Sequence, residues 1–206
     1  MKIWPFFLHK KVRTCPLACL NFFISKKRPS FHSRFTLPTE LFGLVKYFLR
    51  FLPSLVILVT FLTDRFSKEW IQRILILGES VPVLHFFNLT YLKNTGIAFG
   101  MGQNRNEIFI FASSAILFFL VILLRSWDRS NTVGVRDKIS LALVIGGAVG
   151  NLYDRIAYGS VVDFLDFYAG SYHWPSFNVA DSAICAGAFL LAVFSWKKGG
   201  SPVVPL

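Results

Sequence analysis

The sequence predicts an all-α, polytopic membrane protein with four spanning helices and a small sheet outside the bilayer between helices 1 and 2. Three observations carry this prediction. Hydrophobic residues fill 54% of 206 positions, 23 of them Phe, too apolar for an ordinary soluble domain of this length. The apolar residues gather into four runs close to the ~20 residues that a hydrocarbon core requires. The basic residues border those runs instead of forming a stripe. The net charge of +11 therefore reads as topological bias, and no nucleic-acid partner is expected.

Residues 1–43 form a basic N-terminal extension. Pro5, Pro16, Pro29 and Pro38 interrupt any long helix there. The segment reads equally as an arm on anionic lipid, as sequence ahead of a later start site, or as a targeting peptide. The remainder, 44–197, opens with a first span at about 44–63. Pro53 falls early in it, where a helix tolerates proline. In the 64–106 segment, Val81 to Leu92 mixes β-branched and aromatic residues and predicts strand. Gly96, Gly100 and Gly102 then break it. The second span covers about 107–124. The third, about 139–156, carries Gly146, Gly147 and Gly150, and the fourth, about 179–196, carries Ala180, Ala183, Ala186, Gly187 and Ala188. Small residues at such positions permit close helix approach. Residues 198–206 are a short tail.

Orientation follows from charge. The first fifty positions hold ten Lys and Arg, 125–138 holds four, the tail region has Lys197 and Lys198, and 158–178 has none. Both termini and the 125–138 connection are thus expected in the cytoplasm. The 158–178 loop, and with it Asp163 and Asp181, lies near the outer face.

Those two aspartates are the candidate catalytic pair. An ionisable side chain at membrane depth is costly and marks a functional site by default. Two facing carboxylates raise each other's proton affinity, so one holds a proton while the other stays charged. The plainer alternative is two solvated loop aspartates, with Asp181 as a helix cap. Asp166 is a competing carboxylate. Asn178 can supply amide hydrogen bonds, and Phe164 and Phe177 can screen the pair from water. Asn151, Asp154 and Arg155 lie within little more than one helical turn and read as a supporting polar cluster. Asn94 and Gly96 offer an amide and flexible backbone near a peptide substrate, or an ordinary turn. Asp64 and Lys68 have helical ion-pair spacing just beyond the first span, with a phospholipid head group as an alternative partner. His85 and His173 each stand among aromatics without metal-ligand spacing. Three cysteines support neither a disulfide framework nor a zinc site, and Cys185 reads as a packing residue.

In this order, Asp64-x3-Lys68, Asn94-x-Gly96-x-Ala98-Phe99, Gly150-Asn151-x2-Asp154-Arg155, Val161-Val162-Asp163-Phe164 and Phe177-Asn178-x-Ala180-Asp181 closely resemble the lipoprotein signal peptidases (signal peptidase II, aspartyl peptidase family A8). The resemblance covers about 44–197. It implies four membrane helices with an extracytoplasmic β-cradle, and cleavage of bacterial prolipoproteins before a diacylglyceryl-modified cysteine. It makes Asp163 and Asp181 catalytic, with Asp64, Lys68, Asn94, Asn151, Asp154, Arg155 and Asn178 in support. It implies no metal or organic cofactor, a lipid-modified substrate among membrane phospholipid, and inhibition by globomycin-type cyclic peptides. A monomer in the bacterial inner membrane is expected. The rival reading is a small transporter relaying protons or ions through the aspartates. It is disfavoured by their place at helix ends and by the lack of an internal repeat.

Overall fold

The computed structural model describes residues 39–96, 106–130 and 133–199. The basic extension up to residue 38, the stretch containing Ile97, Ala98, Phe99, Gly100 and Gly102, and the tail after 199 lie outside the described residues.

Among the described residues, four helices are long and apolar enough to span a bilayer. The first, α1, is Thr39–Ile74. At 1.5 Å per residue its 36 residues measure roughly 54 Å, well beyond a ~30 Å hydrocarbon core. It runs past the expected end near 63 because Asp64, Arg65 and Lys68 do not mark a boundary. All three are buried: Asp64 pairs with Lys68 on the same helix, and Arg65 and Lys68 both reach Asp154 on another. Next come α2, Asn106–Ser130, and α3, Val135–Tyr158. The last helix, α4, is Val179–Gly199. Large apolar side chains such as Phe66, Phe111, Phe118 and Phe189 stand exposed around the bundle, as lipid-facing residues do.

The most enclosed helix is α3, and its glycines explain why. A Cβ on Gly146 would sit 2.8 Å from the Thr60 Cβ, and one on Gly150 would sit 2.6 Å from the Asp64 Oδ2. Gly147 faces the Ala180 carbonyl and Ile184 of α4. Helices α1 and α4 therefore press directly on the α3 backbone, the approach that small residues permit. A separate cluster of Leu124, Leu141 and Ile145 joins α2 to α3.

A four-stranded antiparallel sheet, in the order β1-β2-β3-β4, lies outside the spans. Strands β1, Ser80–Leu84, and β2, Phe87–Asn94, come from the segment between α1 and α2, as expected. The other half was not anticipated: β3, Val161–Ala169, and β4, Tyr172–His173, arise within the 158–178 segment read as a loop. Its inner part, Val-Val-Asp-Phe, is buried on both faces, so period-two alternation is masked. Gly159, at φ 72, turns the chain from α3 into β3. Such a left-handed residue suits glycine at a helix end. In β3, Val162 and Phe164 pack against Ile71, Leu75 and Tyr91. Asp163 alternates with them and points the other way, and Leu92 of β2 pairs opposite it.

Candidate active site

The site is assembled where β3 meets the first turn of α4. Asn178 precedes α4, and its Oδ1 accepts the Asp181 backbone N–H at 3.0 Å. In return the Asp181 Oδ2 accepts the Asn178 N–H at 3.3 Å. This reciprocal pair is a capping box, with aspartate in place of the usual glutamate. Asn178 is thus the residue that caps the helix, and Asp181 is its partner in the first turn instead of the cap that the plainer reading expected. The second Asp181 oxygen, Oδ1, remains directed at Asn151, whose Nδ2 donates to it at 2.7 Å. A carboxylate in the first helical turn also meets the positive end of the helix dipole.

Asp163 is met by two amides. The Asn178 Nδ2 donates to its Oδ1 at 2.8 Å, and the Asn94 Nδ2 donates to its Oδ2 at 2.9 Å. One asparagine therefore touches both aspartates. Each amide is oriented by what its oxygen accepts: Asn178 takes the Asp181 N–H, Asn94 takes the Gly96 N–H at 2.9 Å, and Asn151 takes the Lys68 ammonium at 3.1 Å. None of these donors would face an amide nitrogen, so the hydrogen-bond network fixes all three flips. Burial pushes the Asp163 carboxyl up from 3.8 to about 6, and the neighbouring Asp181 charge adds to that. The Asn94 and Asn178 amides and the Lys68 charge pull the other way.

Behind the aspartates lies a buried ionic cluster. The Lys68 ammonium, wholly enclosed, lies 2.7 Å from Asp64 and 2.9 Å from Asp154, which are equally enclosed. Asp64 also reaches across to α4, its Oδ1 accepting the Ala180 N–H at 2.9 Å. Ala180 is the residue before Asp181, so a side chain of α1 sets the depth of the first turn of α4. The ion pair sought within 151–155 forms elsewhere. Asp154 pairs with Arg65 and Lys68 of α1, while Arg155 turns to the Gly96 carbonyl at 3.2 Å.

Among the residues read as functional, Asp163, Asp181, Asn94, Gly96, Asn151 and Arg155 line one cleft of about 1200 Å³. Asp64, Lys68, Asp154 and Asn178 are fully buried and do not line it. Asp166 also lines it, but its oxygens are engaged by Asn88 and His173. Phe164 does not screen the pair, since it turns into the core, whereas Phe177 does line the cleft. Cys185, read as a packing residue, is exposed and lines the cleft beyond Asp181. His85 stands edge-on to Phe86. Arg65 was missed. Its guanidinium bonds Asp154, Glu69 and the Tyr158 hydroxyl and lies 4.7 Å over the Tyr153 ring. The i, i+4 spacing of Arg65 and Glu69 was its only trace in sequence.

Four membrane-length helices, with two carboxylates from β3 and α4 bridged by one asparagine in a common cleft, make up the arrangement of a membrane-embedded aspartic peptidase. The chain belongs to the signal peptidase (SPase) II family, peptidase family A8, whose profile matches residues 56–197. It is 44% identical over 140 residues to the lipoprotein signal peptidase of Syntrophotalea carbinolica, covering 66% of this chain and 85% of that one. With the lipoprotein signal peptidase of Shewanella amazonensis it shares 44% over 149 residues, covering 71% and 88%. Among solved structures, a bacterial membrane enzyme determined in meso at 2.3 Å superposes with a TM-score of 0.67 at 28% identity, over 75% of this chain and 93% of the other. A second, at 1.9 Å, gives 0.62 at 29% identity, over 70% and 92%.

Proposed function

We propose that this protein removes signal peptides from bacterial prolipoproteins, cutting immediately before the diacylglyceryl-modified cysteine with Asp163 and Asp181 as its catalytic pair. The observation that carries the reading is the double contact of Asn178, which holds both carboxylates at the floor of one cleft. Enclosure favours the protonated form of Asp163, which makes it the proton donor of the pair and leaves Asp181 as the base. Asp181 then takes a proton from a water molecule as that water attacks the scissile carbonyl. The Asp163 proton hydrogen-bonds the carbonyl oxygen as negative charge develops there. On collapse, the proton that Asp181 took from water passes to the amine nitrogen of the modified cysteine as the carbon–nitrogen bond breaks, which returns Asp181 to its carboxylate form. Asn94, Asn151 and Asn178 hold the carboxylates in place, and the buried Lys68 cluster holds Asn151.

The acyl chains of the substrate stay in lipid beside the bundle while the backbone enters the cleft, where Arg155 and the Gly96 segment offer polar partners. The protein acts as a monomer in the inner membrane, both termini cytoplasmic and the cleft near the outer face. The charge asymmetry of the connections supports that orientation. Phospholipid surrounds the exposed apolar faces, and a globomycin-type cyclic peptide competes for the cleft. The test is incubation of the purified protein with a diacylglyceryl-modified prolipoprotein. Release of the signal peptide, blocked by globomycin, is expected. An uncut modified substrate refutes the proposal.

A further inference from the structure

One cluster in the lining of the cleft, Asp166 with His173, is not used by the chemistry. Asp166 of β3 is buried, 5% exposed, and sits opposite Asn88 of β2 in the strand register. The Asn88 Nδ2 donates to its Oδ2 at 3.0 Å, and the His173 Nδ1 of β4 lies 2.9 and 3.0 Å from its two oxygens. A carboxylate acceptor makes that ring nitrogen the donor. The His173 ring stacks on Tyr168, 5.1 Å between centroids. One carboxylate thus ties three strands together, although β4 is only two residues long.

The segment that follows His173 is the cleft wall. Trp174 donates its N–H to the Phe167 carbonyl at 2.8 Å, and Phe177 exchanges backbone bonds with Leu165. Trp174, Pro175, Ser176 and Phe177 line the cleft, and Asn178, which touches both aspartates, comes next. Two ladder pairs alone, Tyr168 with His173 and Ala169 with Tyr172, are a weak hold on so short a strand.

We infer that Asp166, clasped by Asn88 and His173, is a positioning residue that sets the 174–177 wall of the substrate cleft and thereby the affinity for the extended peptide around the scissile bond. The inference rests on the peptidase reading above. Its role is distinct from that of the aspartate pair: it shapes where the peptide lies and leaves the chemical step alone.

The test compares His173→Phe, which keeps a ring for Tyr168 but removes the donor, with His173→Asn, whose amide can replace the Nδ1–H. With a lipidated peptide, H173F raises KM about fivefold with kcat within about twofold, consistent with loss of one partly exposed charge-assisted hydrogen bond. H173N returns KM close to wild type. In parallel, amide hydrogen exchange at Trp174 and Phe177 speeds up in H173F and recovers in H173N, whether or not any peptide is cut. An unchanged KM and unchanged exchange in H173F overturn the inference, as does a fall in kcat alone. Normal exchange behaviour of the variants together with a wild-type protein that cuts nothing would instead count against the peptidase reading.

Discussion

Replacing Lys68 with Met tests the buried ionic cluster. The wild-type cluster is neutral in sum: Lys68 and Arg65 oppose Asp64 and Asp154, and Lys68 lies 2.7 and 2.9 Å from the two carboxylates. Methionine fits the space but leaves one negative charge unmatched among fully enclosed groups. Asp154 keeps Arg65 and Asp64 keeps the Ala180 N–H, so the Asp64 side bears most of the loss. Breaking a buried pair by removing one partner costs about 3–5 kcal/mol. Thermal unfolding in detergent micelles should register a large fall in Tm. Activity should fall too, because Asn151 loses the cation that orients its amide toward Asp181. The double variant Asp64→Asn with Lys68→Met removes both charges and should recover part of the lost stability, a coupling read directly from the mutant cycle. If K68M melts like wild type, or the two losses simply add, the cluster does not hold the helices in the way described.

The Asp163 carboxyl titrates near 6 folded against 3.8 unfolded, so its protonation favours the folded state fully below about pH 4, and that contribution fades as pH rises through 6. The upper limit is on the order of 3 kcal/mol; Tm against pH should therefore decline between pH 4 and 7 more steeply for wild type than for Asp163→Asn. Gly150→Val would drive a Cβ to 2.6 Å from the Asp64 Oδ2. Such overpacking costs about 1–3 kcal/mol, seen as a lower Tm with loss of cleavage. Asn178→Ala removes the α4 cap and the side-chain donor to Asp163; kcat should fall by about 10- to 100-fold with a smaller change in KM.

The spans were legible because hydropathy and length are properties of a contiguous stretch, and bilayer thickness supplies the ruler. The glycines of α3 were legible as a close-packing face, since Gly146, Gly147 and Gly150 follow helical spacing. What escaped the sequence was whatever depends on a distant partner. Asp64, Arg65 and Lys68 look like the polar end of a span until Asp154 is seen opposite them. Strands β3 and β4 look like a loop because the buried Val161–Phe164 stretch does not alternate and β4 is too short to register. Asp163 and Asp181 were visible as candidates; that Asn178 would serve both, while also capping α4, required the geometry of the first helical turn. Asp166 and His173 looked unrelated because only strand register brings them together.

The central claim is that Asp163 and Asp181 together perform the hydrolysis. The most direct measurement is signal-peptide release from a diacylglyceryl-modified prolipoprotein by purified Asp163→Asn and Asp181→Asn, each first shown to be membrane-inserted and folded. The account predicts no detectable release by either variant alone. Turnover near the wild-type rate by either one would contradict it.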